Sequence, residues 1–218
     1  MADAQPNFSV VIIGTMNPAI HHPFWYEMIG VLSQDVRDEA IQAPQLLLAP
    51  MIAQFSWSGW TLVCLPERWE MRTADAAKFE RVVDVASKVF DRLADTPVTA
   101  FGINFDYVAA KDGATSALTR ALHNAKLGVG PDASDATFTT RWQIRREHTV
   151  LSKQVTVSTT AAEPSVVRIA NNFQHDMALV GFQHFSLSDF LREGFTEALA
   201  TSQKQANEIV DSFPWGAQ

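Results

Sequence analysis

Cysteine is nearly absent from this sequence, and long apolar runs are missing. Cys64 is the single cysteine among 218 residues, so an intramolecular disulfide is excluded and a reducing compartment is favoured. No stretch approaches the roughly 20 apolar residues of a membrane span. The N-terminus also lacks the basic segment and long apolar run of a signal peptide. We therefore expect a soluble, cytoplasmic protein without a membrane partner.

Positive charge is scarce as well. The 17 basic residues are outnumbered by 24 acidic ones, which leaves a formal net charge of −7. Because phosphate contacts need a basic face, this balance argues against a nucleic acid partner. The composition, 47% hydrophobic and 19% charged, is that of a folded chain with a sizeable core. The length predicts a single domain over residues 1–218, with subdomains 1–110 and 111–218 as the alternative.

The motifs that usually accompany catalysis are also missing. The sequence has no Gly-x-Ser-x-Gly elbow, no Walker-type phosphate loop and no dinucleotide-binding fingerprint. Its histidines and its cysteine lack the spacing of a zinc site. We therefore predict no catalytic residue, no metal and no cofactor, and we lean towards a protein that is not an enzyme.

What the sequence does contain is alternation of apolar and polar residues, which is typical of half-buried strands. In the first half, Ser58-Gly59 predicts a tight hairpin between two alternating runs. A helix with apolar residues at helical spacing follows, with Thr73 as its expected N-cap. The segments predicted here are strands at residues 51–57, 60–65 and 68–72, and the helix at residues 75–94.

The second half repeats this order with a longer helix. Phe138, Trp142 and Ile144 are expected to mark the apolar face of its first strand. The last helix would be on the order of 38 Å long, enough to cross a whole sheet. The segments predicted here are strands at residues 137–147, 149–159 and 165–174, and the helix at residues 187–212.

Together these segments predict an α+β fold. Two strand-strand-strand-helix halves would build one antiparallel, curved sheet, with the long C-terminal amphipathic helix packed on it. Further strands are predicted at residues 8–14 and 98–109.

Four arginines on two predicted strands are candidate binding residues. Arg141 and Arg145 share one face of a strand, and Arg68 and Arg72 share one face of another. Such faces suit an anion or an acidic partner, and the solvated outer side of a half-buried sheet explains them equally well.

Tryptophans form the second group of candidates. Trp57 and Trp60 fall in adjacent predicted strands, where they either fill the core or line an apolar pocket with Phe101 and Phe105. Trp215 follows the last helix in a Phe-Pro-Trp-Gly tail, where an apolar anchor suits docking on a partner.

Histidines and the cysteine have structural and functional interpretations. His21 and His22 either pack at a helix entry or serve an enzyme together with residues from the second half. Cys64 lies between apolar residues of a predicted strand, which favours a buried thiol over a reactive one.

Residues 96–107 read Thr-Pro-Val-Thr-Ala-Phe-Gly-Ile-Asn-Phe-Asp-Tyr, downstream of the amphipathic helix. This segment resembles an uncharacterised bacterial protein family with a Thr-Pro-Val-x-Ala-x-Gly-Ile-Asn strand, and the similarity covers about residues 8–110. The resemblance implies a bacterial origin and no activity, ligand or catalytic residue. Gly102 suggests a bulge or a close backbone approach. Asn104, opposite the apolar row, is expected to bond a neighbouring strand.

Three functions are compatible with these observations. We favour a non-catalytic binding or assembly protein of a bacterial cytoplasmic complex, with a protein partner or self-association through the arginine faces, the long helix or the Trp215 tail. The first alternative is a small-molecule or lipid carrier with an apolar pocket. The second alternative is an unrecognised enzyme that uses His21 or His22.

Overall fold

A computed structural model describes residues 5–125, 135–145, 150–160, 162–177 and 186–212. The strands within these ranges are β1 (Gln5–Gly14), β2 (Leu47–Ala49), β3 (Ile52–Trp57), β4 (Trp60–Leu65), β5 (Arg68–Thr73), β6 (Val98–Ala110), β7 (Ala136–Arg145), β8 (Val150–Thr160) and β9 (Glu163–Asp176). The helices are α1 (Pro23–Met28), α2 (Gln34–Gln42), α3 (Phe79–Arg92), α4 (Ala114–Asn124) and α5 (Leu187–Ser212). Short 3-10 turns occupy Pro18–Ile20 and Ala76–Lys78.

All of these strands belong to one open antiparallel sheet. Their order across the sheet is β2-β3-β4-β5-β1-β6-β9-β8-β7. The two predicted sets of three strands are the meanders β3-β4-β5 and β7-β8-β9, and β1 and β6 pair in the middle. The predicted α+β class, the antiparallel sheet and the long C-terminal helix are therefore confirmed.

The helices pack against one face of the sheet, which we call the inner face. Strand alternation sends Phe8 of β1 and Phe105 of β6 to this face, with their ring centroids 4.9 Å apart. Phe195 of α5 lies 5.4 Å from Phe8, and α3 and α5 contact each other above the same strands. Tyr26 of α1 and Leu118 of α4 join this core. The opposite, outer face carries polar side chains such as Arg72 and Gln174, which are exposed.

The helix α5 has its predicted bounds, whereas α3 begins later than predicted. The helix predicted from residue 75 opens with a 3-10 turn, and its N-cap is Asp75, whose side chain accepts a hydrogen bond from the Ala77 amide. Thr73 is instead the last residue of β5. Its hydroxyl accepts from the Asp75 amide and donates to the Gly59 carbonyl, so it lies two residues before the observed N-cap and its predicted role as N-cap is wrong.

The hairpin between β3 and β4 is confirmed, and the irregularity predicted at Gly102 is wrong. Ser58 and Gly59 have φ angles of 44° and 81°, the left-handed pair that a two-residue hairpin turn needs. Gly102 lies in regular register between Val11 and Gln174. The register shift falls at Gly14, where a Cβ would lie 2.1 Å from the Pro97 carbonyl oxygen.

Candidate functional site

The predicted arginines lie on the outer face in two separate places. Arg68 and Arg72 belong to β5, whereas Arg141 and Arg145 belong to β7. Four strands lie between β5 and β7, so the two pairs are about 24 Å apart at ~4.8 Å per strand. The arginines therefore do not form one basic patch.

Acidic and amide side chains accompany the arginines of the outer face. Arg68 forms an ion pair of 2.7 Å with Glu70 on its own strand. Arg72 lines a shallow cleft of about 480 Å³ together with Glu70 and Asp106. Because carboxylates stand beside these guanidinium groups, the cleft does not present the uniform positive potential that an anion or a nucleic acid attracts.

Hydrogen bonds link neighbouring strands across the middle of this face. Asn104 donates from Nδ2 to the Ser9 hydroxyl at 3.1 Å, and its Oδ1 accepts from Asn172 at 2.5 Å. These two hydrogen bonds join β1, β6 and β9, which confirms the expectation that Asn104 bonds to a neighbouring strand. Side chains that are bonded to each other hold the sheet together and leave fewer donors and acceptors for a ligand.

Of the two interpretations of the tryptophans, core or pocket, their surroundings favour the core. Trp57 is 2% exposed, and its ring lies 5.3 Å from Phe55 and 5.6 Å from Trp60. Phe101 and Phe105 are fully buried in the same core. These contacts give Trp57 and Trp60 a structural role at the β3-β4 hairpin. Trp215 lies outside the described residues.

His21 takes part in a buried chain of hydrogen bonds. The Trp69 indole donates to the Tyr26 hydroxyl at 3.0 Å, and that hydroxyl lies 2.8 Å from Nδ1 of His21. All three groups are satisfied when Tyr26 donates to an unprotonated Nδ1, because an indole N–H can only donate. Burial lowers the pKa of His21 to about 4, so the ring is neutral near pH 7.

His22 and Cys64 also have structural surroundings. His22 is the N-cap of α1, where its Nδ1 accepts from the Phe24 amide at 3.2 Å. The Cys64 thiol is buried on β4, and burial raises its pKa to about 12, so it is a poor nucleophile at neutral pH. In the part of the chain that the structure describes, no group of three or more His, Cys, Asp or Glu side chains could hold a metal ion.

The feature that sequence reasoning missed is the free edge of β7. This ten-residue strand is the last in the order of the described strands, and it pairs with β8 along its whole length on its other side. Every residue of the strand after Ala136 is exposed. A long edge strand offers unpaired backbone N–H and C=O groups, which makes it a template for pairing with another strand.

An exposed apolar row accompanies this edge. Phe138, Trp142 and Ile144, which we call the β7 apolar row, lie on the inner face with 36–37% of their surface exposed. Their partners on β8 are Val157, Lys153 and Leu151, all of which are buried. α4 contacts β7, where Ala136 is buried. The row was expected to be a core face, and the structure leaves about a third of it open.

The signal for this site was present in the sequence. Alternation predicted a strand at residues 137–147 and its apolar side, and the structure describes this strand over Ala136–Arg145. Alternation says nothing about whether a helix covers that side, since this depends on where distant segments pack.

The fold and this site define an open α+β sheet protein in which β7 is the longer of the two edge strands among the described residues. The sequence matches no protein-family model and no curated protein. None of the described helices is both long enough and apolar enough to cross a membrane.

Proposed function

We propose that the chain is a non-catalytic binding or assembly protein of a bacterial cytoplasmic complex, and that it binds a protein partner through β7. The observation that carries this proposal is the combination of a free ten-residue edge with the exposed β7 apolar row. Backbone groups along the edge supply affinity, and the apolar row supplies area that gains from leaving water.

A protein partner suits this surface better than a nucleic acid does. The described side chains of the outer face include no aromatic ring on which a base could stack, and its arginines have acidic neighbours such as Glu70 and Glu163. The exposed aromatic residues Phe138 and Trp142 belong instead to an edge strand, where aromatic anchors favour protein contacts.

The two alternative functions have less support from the described residues. Trp57, Phe101 and Phe105, the proposed lining of a carrier pocket, are packed against other rings. His21 and His22, proposed for an enzyme, both have Nδ1 engaged, by the Tyr26 hydroxyl and by the Phe24 amide respectively. The carrier hypothesis therefore needs a pocket lined by other side chains, and the enzyme hypothesis needs other catalytic side chains.

The proposal is tested by removing the β7 apolar row without touching the core. We expect the wild-type protein to run as a complex above its 24.1 kDa chain mass, either when purified or in a native extract. The double variant Trp142→Ser/Ile144→Thr should shift towards that chain mass in light scattering coupled to size exclusion.

Met51→Ser is the matched control, because it removes an apolar side chain that is 65% exposed near the opposite edge of the sheet. It should leave the complex intact. A wild-type protein that runs at the chain mass in both preparations, or a complex that the double variant leaves unchanged, would contradict the proposed function.

A further inference from the structure

We infer that the occupant of the β7 edge is a second copy of this chain, paired antiparallel through its own β7 about a two-fold axis at Thr140. The inference rests on the proposed function, and it adds the identity of the partner and the register of the pairing. The two sheets would form one continuous sheet across the axis.

The alternation of β7 restricts the registers that two copies can adopt. When the inner faces of both copies lie on the same side, inner-face residues must stand opposite inner-face residues. The axis therefore passes through a residue, and Thr139, Thr140, Arg141 and Trp142 are the positions that leave most of the strand paired.

Charge selects among these registers. With the axis at Thr140, Arg145 stands opposite Asp135 of the second copy, the residue just before β7, twice in the dimer. With the axis at Arg141, two guanidinium groups face each other directly, which is unfavourable. An axis at Thr139 leaves Arg145 beyond the end of the pair. An axis at Trp142 places Arg145 opposite Thr139, so the guanidinium group meets no acidic side chain. Asp135 also interacts within its own chain, so the intermolecular contact would add to an existing one.

The apolar side chains favour the same register. With the axis at Thr140, Phe138 stands opposite Trp142 of the second copy, again twice. Directly opposed aromatic residues in an antiparallel pair have Cβ atoms about 5 Å apart and stabilise each other. These two residues are among the exposed large apolar side chains of the molecule, at 36% each, so the pairing buries what the single chain leaves open.

The strand is therefore complementary to itself in both charge and shape. On the outer face, Arg141 meets Thr139 of the second copy and Gln143 meets Thr137, so no like charges are brought together. A foreign edge strand would have to supply an acidic residue opposite Arg145 and an aromatic one opposite Trp142. The chain itself supplies both at the right spacing.

Cysteine cross-linking tests the register on the full chain. Thr140→Cys should form an intermolecular disulfide under mild oxidation, because residues opposite each other in an antiparallel pair have Cα atoms about 4.5–5.5 Å apart. Thr137→Cys is the matched control, since this exposed residue of the same strand would lie about 20 Å from its copy. The native Cys64 is buried and should not react.

Charge variants at Thr139 test the same geometry by affinity. Thr139 is exposed on the outer face and would stand opposite Arg141 of the second copy. Thr139→Glu should lower the dimer dissociation constant several-fold, whereas Thr139→Lys should raise it several-fold. Thermal unfolding of both variants at a concentration that keeps them monomeric checks that the fold itself is unchanged.

The outcomes separate this inference from the proposed function. A disulfide at Thr140→Cys with none at Thr137→Cys, and the predicted order of dissociation constants, supports self-pairing. A purified protein that is monomeric at about 100 μM, with Thr140→Cys remaining reduced, overturns it. If a β7-dependent complex then appears only in extract, the proposed function stands and the partner is a different protein.

Discussion

The two halves of the molecule follow one plan and end differently. The first half runs from β1 through α1 and α2 to the meander β3-β4-β5 and α3, and the second from β6 through α4 to β7-β8-β9 and α5. In the sheet, β5 flanks β1 and β9 flanks β6, while β1 and β6 pair at the centre. The strands β3 and β7 therefore occupy equivalent places at the far ends of the two meanders.

Their inner faces differ sharply in burial. Phe55 and Trp57 of β3 are at most 2% exposed, whereas Phe138 and Trp142 of β7 are 36% exposed. The difference comes from the connecting segments. In the first half, the Tyr26 ring of α1 lies 5.5 Å from Phe55, α2 contacts β3, and β2 pairs with its outer edge.

The second half uses its connection differently. Thr115 of α4 donates to the Thr160 carbonyl, which places this helix at the end of β8 that pairs with the start of β7. The comparison teaches that a strand's own pattern does not determine its burial. The helices of the preceding connection determine it, and where the described helices end before covering a strand, its apolar side chains stay exposed.

The largest difference in the free energy of unfolding is expected when a phenylalanine ring is removed from β3 and, for comparison, from β7. Phe55→Ala should lower the free energy of unfolding by roughly 3–5 kcal/mol, because it leaves a cavity under α1. Phe138→Ala should lower it by only about 1–2 kcal/mol in the monomer, since much of that ring is in water already. Urea denaturation of both variants measures the difference, and equal losses would contradict the comparison.

The pH dependence of stability tests the segment that covers β3. The folded state lowers the pKa of His21 from 6.5 to about 4 through burial. Below pH 6.5 the unfolded chain binds a proton that the folded chain cannot hold until about pH 4. The free energy of unfolding should therefore fall by about 3 kcal/mol as the pH drops through this window, at ~1.4 kcal/mol per pKa unit.

The contribution of His21 is isolated by comparing variants across that window. His21→Gln should show a shallower loss of stability between pH 6.5 and pH 4 than the wild type. His22→Gln is the matched control, because it leaves the His21 ring in place beside Tyr26. Identical slopes for the wild type and His21→Gln in urea titrations would show that another group carries the effect.

The first strand of each half carries a glycine, and the two should respond oppositely to alanine. Gly14→Ala should cost about 2–3 kcal/mol, because its Cβ would lie 2.1 Å from a backbone oxygen of Pro97. Gly102→Ala should be neutral or stabilising by up to ~1 kcal/mol, because the nearest atom to its Cβ is 3.8 Å away. Thermal unfolding should show a lower melting temperature for Gly14→Ala than for Gly102→Ala.

Much of the fold was predictable because its signals are local. The alternation around Ser58-Gly59 predicted the hairpin, and the apolar stripe of α5 predicted the bounds Leu187–Ser212. The helix α2 lies in residues 33–50, which the sequence predicts only as irregular or partly helical, since this helix buries one side chain, Ala40, and so shows hardly any apolar stripe. The three-residue β2 is too short for alternation to show.

The functional surfaces were less predictable because they depend on the order of the strands. Arg72 and Arg141 follow similar patterns, yet four strands separate their positions. The hydrogen bond from Trp69 to Tyr26 joins residues 43 positions apart, which no local pattern indicates. The resemblance of residues 96–107 to a bacterial family stays a prediction and assigns none of these residues a role.

The smallest change in the free energy of unfolding is expected for the middle strands of the two meanders, β4 and β8. In the first half, β4 sends Leu62 and Cys64 into the core, whereas β8 places Lys153 there, 2.8 Å from Glu197 of α5. Because desolvation offsets most of the attraction in such a pair, Lys153→Met should change the free energy of unfolding by less than about 1 kcal/mol.

Removing only the carboxylate charge should lower the free energy of unfolding more than removing the lysine does. Glu197→Gln leaves the mostly buried ammonium of Lys153 beside a neutral amide, and we expect a loss of about 1–2 kcal/mol in urea denaturation, discounted for the partial exposure of Glu197. If Lys153→Met is instead the more damaging change, the ion pair contributes net stability, and the two halves differ in how their cores are held as well as in how their edges end.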